Sequence, residues 1–132
     1  MGRCSAVEWD DFGYYVDVIV AKIKKAKYRP DIVVGIPRGG LPLAVALSNI
    51  LNVPMQSDMA GTRGKAVLLC DDISDTGETL QNVLKKSRAR ECRVATVLYR
   101  FGSKVIPDFY GDKVAEPLHS PHYAWIKFPW EA

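Results

Sequence analysis

The run Val67-Leu68-Leu69-Cys70-Asp71-Asp72-Ile73-Ser74-Asp75-Thr76-Gly77-Glu78-Thr79-Leu80 constrains this chain more than any other segment. Four apolar residues make a short buried strand, two adjacent carboxylates stand where that strand ends, and Asp75 to Thr79 lead into a helical pattern. The start of a helix offers unpaired backbone N–H groups and a positive dipole end, both favourable to an anion. Gly77 lets the backbone come close, and the Thr76 and Thr79 hydroxyls add donors. Carboxylates just upstream accept hydrogen bonds from sugar hydroxyls. Taken singly, Asp, Thr and Gly are ordinary turn and cap residues. In this order they describe a site for a ligand that is both polyol and phosphate, such as a ribose 5-phosphate.

The segment resembles the signature of the type I phosphoribosyltransferases, in which two acids precede an Asp-Thr-Gly-x-Thr turn that binds phosphoribosyl pyrophosphate (PRPP). About a dozen consecutive positions carry the resemblance, far more than a lone glycine-rich loop. It implies that Asp71 and Asp72 hold the ribose hydroxyls and Mg²⁺, and that Asp75, Thr76, Gly77, Glu78 and Thr79 cradle the 5-phosphate. Asp75 is then the general base that takes the proton from the purine ring nitrogen.

A second phosphate-binding loop follows Asp31-Ile32-Val33-Val34-Gly35-Ile36, which reads as a buried parallel strand. Pro37-Arg38-Gly39-Gly40 then leads into a helix over 41–51, apolar on nearly all sides and therefore expected to be buried. Two glycines let the turn close around an anion, and Arg38 adds a forked donor. The loop is similar to the pyrophosphate loop of the xanthine-guanine and hypoxanthine-guanine enzymes, which assigns Arg38, Gly39 and Gly40 to pyrophosphate. It also implies a non-proline cis peptide, expected between Arg38 and Gly39.

The remaining elements fit around these two loops. Phe12, Tyr15, Val16, Ile19 and Ile23 recur at helical spacing, and Lys22, Lys24, Lys25 and Lys27 crowd that helix's C-terminal end, where they suit its dipole. Without interleaved aromatics they read as a solvated helix end, not a nucleic-acid patch. Leu80, Val83, Leu84 and Ser87 mark one face of another helix, and Arg93 to Tyr99 another buried strand. Alternating strands and helices imply right-handed crossovers, with ligand at the carboxyl ends of the strands. Val53-Pro54-Met55-Gln56 reads as an edge strand. Only 57–65 separates it from the signature strand, so the mobile lid of the resembled family is reduced to a turn. Arg63 and Lys65 there are solvated turn charges or a partial substitute for that lid.

At the other end of the pocket, Arg100 takes the place of a lysine that contacts the 6-oxo group in the resembled purine enzymes. The tail Tyr123-Ala124-Trp125-Ile126-Lys127-Phe128-Pro129-Trp130-Glu131 resembles their C-terminal purine-binding segment. By that likeness Trp125 stacks on the base, the Ile126 backbone reads its edge, Glu131 lies near pyrophosphate and Mg²⁺, and Trp130 packs. His119 and His122 read as polar loop residues, not metal ligands.

The sequence thus predicts a single α/β domain over 1–132: a Rossmann-like parallel sheet flanked by helices, with a shortened lid loop and a small C-terminal base-binding segment. The expected activity is Mg²⁺-dependent transfer of ribose 5-phosphate from PRPP to a 6-oxopurine (guanine, xanthine or hypoxanthine). A phosphoribosyltransferase for another base, or a non-catalytic PRPP- or nucleotide-binding regulatory module, are the alternatives. Net charge is +3 and 48% of residues are hydrophobic, with no run of the roughly 18–20 apolar residues a membrane span needs. Three cysteines without metal or redox spacing suit reduced thiols in the cytoplasm. Neither nucleic acid nor membrane is expected as a partner, and the resemblance implies a homodimer or homotetramer.

Overall fold

The computed structural model describes residues 5–115 and 125–131. In chain order they form β1 (Ser5–Ala6), α1 (Trp9–Lys25), β2 (Ile32–Gly35), α2 (Leu41–Leu51) and β3 (Met55–Gln56). These are followed by β4 (Ala66–Ser74), α3 (Glu78–Lys86), β5 (Glu91–Arg100), β6 (Phe109–Val114) and β7 (Ile126–Lys127). Five strands make a parallel sheet in the order β3-β2-β4-β5-β6. From β2 the chain moves outward to β3, then returns to β4 on the other side of β2. The crevice at the carboxyl ends of β2 and β4 is therefore the topological switch point, where open α/β sheets bind ligands.

Strand alternation supplies a core on each face. On one face α1 and α2 bury Val16, Ile19, Ile23, Leu43 and Leu47 against Val33, Leu68, Cys70 and Val97. On the other, α3 sets Leu80 against Val34, Val67, Leu69 and Val94. Pro42 opens α2 in its first turn, where its missing N–H costs nothing. The expectation of a wholly buried α2 fails on its outer face, where Val45 and Ile50 are each 47% exposed. One side of a helix suffices to cover the sheet, and no described residue of this chain covers the other. Ser87, expected on the α3 face, is the extended residue that ends that helix.

Three elements had no counterpart in the sequence reading. β6 lies at the sheet edge beside β5, and α1 packs over it. Gly111 permits that approach, since a Cβ there would lie 2.6 Å from Cβ of Tyr15. Lys22, read as part of a solvated cluster, donates to the Tyr110 carbonyl at 2.7 Å and sits 4.3 Å above that ring. β1 pairs in parallel with β7, tying the N-terminal segment to the aromatic tail. His119 and His122 lie outside the described residues.

Candidate active site

β4 runs through Ser74, so Asp71 and Asp72 lie within the strand and not beyond it. Successive strand residues face opposite ways, which splits the acid pair between the two sides of the sheet. Asp72 faces the loop after β2, closely enough that a Cβ on Gly39 would collide with its carboxylate. Asp71 instead lines a cavity of about 90 Å³ with Ile73, Asp75, Thr76, Gly77, Thr79 and Leu80. The backbone N–H of Asp72 donates to Asp71 Oδ1 at 2.9 Å, and that of Ile73 to Asp72 Oδ1 at 2.8 Å.

The turn from β4 to α3 forms this cavity as expected. Gly77 precedes the first helical residue at φ +84°, and a Cβ there would lie 2.6 Å from Ser103 Oγ and 2.7 Å from the Val105 nitrogen. Glycine is therefore required twice, by its dihedral and by the segment pressed against it. That segment is a brace the sequence did not reveal. Ser74 Oγ–H donates to the Val105 carbonyl at 2.6 Å, and the Lys104 N–H donates to the Thr76 carbonyl at 2.9 Å. Lys104 Nζ also reaches Glu78 Oε1 at 3.3 Å, an exposed pair of little energetic weight.

Across the crevice, Arg38 and Gly39 line a cavity of about 840 Å³ with Leu41, Pro42, Val45, Asp72, Trp130 and Glu131. The Gly40 N–H donates to the Ile36 carbonyl at 2.8 Å, and a Cβ at Gly40 would strike the Cys70 carbonyl. The non-proline cis peptide lies between Pro37 and Arg38, one bond upstream of the Arg38–Gly39 position expected. The chain doubles back directly after β2, as the Gly40-to-Ile36 hydrogen bond shows.

Asp72, Ile73, Asp75, Trp125, Ile126, Phe128 and Glu131 surround a third cavity of about 240 Å³. It shares Asp72 and Glu131 with the Arg38 cavity and Asp75 with the Thr76–Thr79 cavity, so the three adjoin. Trp125 is 59% exposed on its edge. Trp130 packs, as expected: its ring stacks on Phe128 at 5.0 Å and meets Phe12 edge-on at 5.2 Å.

One expectation needs correction, and one alternative falls while the reading of solvated turn charges stands. Arg100 was expected to face the base, yet it is fully buried and its Nε donates to Asp75 Oδ1 at 2.6 Å. At the end of β5 it lies beside the turn that follows β4, and the nearer anion takes it. Arg63 and Lys65 cannot substitute for a lid. The Lys65 carbonyl accepts the Arg90 N–H at the amino ends of β4 and β5, away from the crevice. Another cavity of about 760 Å³, lined by Lys24, Tyr28, Arg29 and Ile50 among others, contains none of the expected site residues.

Residues 56–132 match the phosphoribosyl transferase domain family. The chain belongs to that family. A relative of known function is the orotate phosphoribosyltransferase of Saccharolobus solfataricus, 37% identical over 81 residues. That match covers 51% of this chain and 42% of the orotate enzyme, so it spans less than half the relative's length. Among solved structures, a purine phosphoribosyltransferase from Pyrococcus horikoshii superimposes with a TM-score of 0.83 at 28% identity, covering 98% of this chain and 95% of that one. The xanthine-guanine-hypoxanthine phosphoribosyltransferase of Helicobacter pylori shares the fold at a TM-score of 0.83 and 20% identity, covering 98% and 93%. As the resemblance implied, this is a type I phosphoribosyltransferase fold.

In this phosphoribosyltransferase domain the acid pair is electrostatically unsatisfied. Burial pushes the Asp71 carboxyl well above the usual carboxylate range, and the neighbouring Asp72 charge adds to the effect. Burial raises Asp72 as well, with the Glu131 carboxylate contributing. Asp72 and Glu131 line the same cavity, and carboxylates are the ligand type that suits a hard divalent cation. Among the described residues no three His, Cys, Asp or Glu side chains close into a metal cage. A Mg²⁺ ion held beside these carboxylates would take most of its ligands from substrate oxygens and water.

Proposed function

We propose that the chain is a purine phosphoribosyltransferase that transfers ribose 5-phosphate from PRPP to a 6-oxopurine, releasing pyrophosphate. The observation that carries this reading is the position of Asp75 on the border between the phosphate-turn cavity and the Trp125–Ile126 cavity. A base seated against Trp125 and a sugar phosphate seated on Thr76 to Thr79 would meet beside that carboxylate.

Each group then has one task. Thr76, Gly77, Glu78 and Thr79 hold the 5-phosphate, chiefly through amides at the start of α3. Arg38, Gly39 and Gly40 hold the pyrophosphate, and its departure leaves positive charge building at the sugar carbon. Asp71 and Asp72 hold ribose hydroxyls from opposite faces of β4, and Asp72 and Glu131, which line one cavity, would hold Mg²⁺ together with substrate oxygens. When bound, Mg²⁺ offsets the negative charge of the leaving pyrophosphate. Trp125 stacks on the purine, Ile126 presents its backbone to the edge of the base, and Asp75 accepts the ring proton as the new C–N bond forms.

The likeness to a purine phosphoribosyltransferase of known structure across nearly the whole chain supports the purine assignment. The partial match to an orotate enzyme keeps orotate as the second reading. Pyrophosphate release measured with PRPP and Mg²⁺ across guanine, hypoxanthine, xanthine, adenine, uracil and orotate decides between them. Turnover fastest with a 6-oxopurine and abolished by EDTA is the expected result. Binding of PRPP without release on any base would instead identify a sensor. The reading carries with it a cytosolic homodimer or homotetramer. The exposed Val45 and Ile50 on α2 support an assembly, and light scattering measures its size.

A further inference from the structure

Arg100 closes β5 with its whole side chain out of solvent, the largest fully buried side chain described. Its Nε donates to Asp75 Oδ1 at 2.6 Å, while the Asp75 side chain keeps 24% of its surface exposed. Asp75 itself follows the last residue of β4 and borders two cavities of opposite need. Turned toward Thr76 and Gly77, its charge would oppose a phosphoryl group. Turned toward Trp125 and Ile126, it would meet a ring N–H. The terminal torsion of an aspartate is broad and two-fold, so the backbone by itself does not make that choice.

We infer that Arg100 is the positioning residue that fixes Asp75 for the base, and that it acts on the reaction through that carboxylate. The inference rests on the proposed transferase reading and departs from the direct base contact that the family resemblance implied for Arg100. Three physical points carry it. A guanidinium keeps its proton, so the carboxylate always has a cation beside it when the phosphate arrives. Approach through Nε, on a planar group walled in by the core, fixes the carboxylate's plane more firmly than a mobile ammonium can. A buried ion pair often adds no more stability than apolar residues of similar volume, so stability does not by itself explain an arginine here.

The test is a double-mutant cycle on the full chain with Arg100→Met, Asp75→Asn and both together, followed by pyrophosphate release with PRPP, Mg²⁺ and the preferred base. Arg100→Met is expected to lower kcat about a hundredfold, within the range for a misplaced general base, with KM for PRPP and base changed less than about threefold. In the Asp75→Asn background the same replacement is expected to cost less than about threefold, because groups acting as one unit are not additive. Arg100→Lys, which keeps the charge and loses the fork, is expected to recover part of the rate. Additive losses overturn the inference, as does a raised KM for the base with kcat preserved, which would mark direct base contact. If Arg100→Met does not fold, Arg100→Lys takes its place in the cycle, with a smaller kcat loss expected and the same requirement that this loss shrink in the Asp75→Asn background. Wild-type protein with no turnover on any base refutes the transferase reading itself, and this inference falls with it.

Discussion

The two ends of the crevice, proposed above to hold the sugar phosphate and the base, are built differently. The sugar-phosphate end consists of two contiguous loops, each set between a buried strand and a helix. The donors offered there are largely backbone amides held by glycines that have no room for a side chain. The base end is assembled from the Asp75 turn, the last residue of β5, and a tail strand pinned by the N-terminal segment. An anion can be gripped by local backbone geometry, whereas a flat heterocycle has to be recognised by side chains brought from distant parts of the chain.

That contrast predicts which substrate each substitution disturbs. The largest effect should come from Asp75→Asn, where the two ends meet. Its kcat should fall by about 10²–10⁴ with PRPP affinity retained, as read by pyrophosphate release and calorimetry. Loss of PRPP binding along with rate would show that the two ends are not separable. Next comes Gly77→Ala, which must place a Cβ at positive φ against Ser103 and Val105. A stability loss of about 2–3 kcal/mol, or roughly 8 °C in Tm, should appear in thermal unfolding, with KM for PRPP raised and KM for the base little changed.

Trp125→Ala probes the opposite end and should raise KM for the base roughly tenfold, as the loss of one stacking surface does. An equal rise for PRPP would break the comparison. The smallest effect is on stability at the acid pair. Burial raises both carboxyls in the folded chain, whereas the unfolded chain carries values near 4. Between those values the folded state keeps protons that the unfolded state releases, so stability falls as pH rises toward the raised folded values. Asp71→Asn removes part of that penalty. It should gain about 1–2 kcal/mol at pH 8 without ligand and nothing near pH 4, measured by urea unfolding. A gain independent of pH would show that something other than ionisation is responsible.

Much of the phosphate end was legible because its physics is local. Val67 to Leu80 and Ile32 to Leu41 each combine strand, turn and helix start within fourteen residues, and both appear in the structure at their expected places. Asp71 and Asp72, read at the end of a short strand, lie inside a longer one that runs to Ser74, because acids are rare in strand interiors and functional groups override propensity. β6 was missed because an edge strand with the pattern Phe-Tyr-Gly-Asp-Lys-Val has no apolar run to announce it. The two-residue strands β1 and β7 are too short to leave any periodic signal.

The chain's order of residues was enough to predict the fold class and the two strand–turn–helix loops, because strand periodicity, helix starts and glycine turns act over a few neighbouring positions. Only the packed molecule decided that Arg100 pairs with Asp75 and that Ser103 to Val105 brace the turn after β4. Those outcomes depend on which groups meet across 25 or more residues of intervening chain once water has been excluded. No nearest-neighbour rule contains that information.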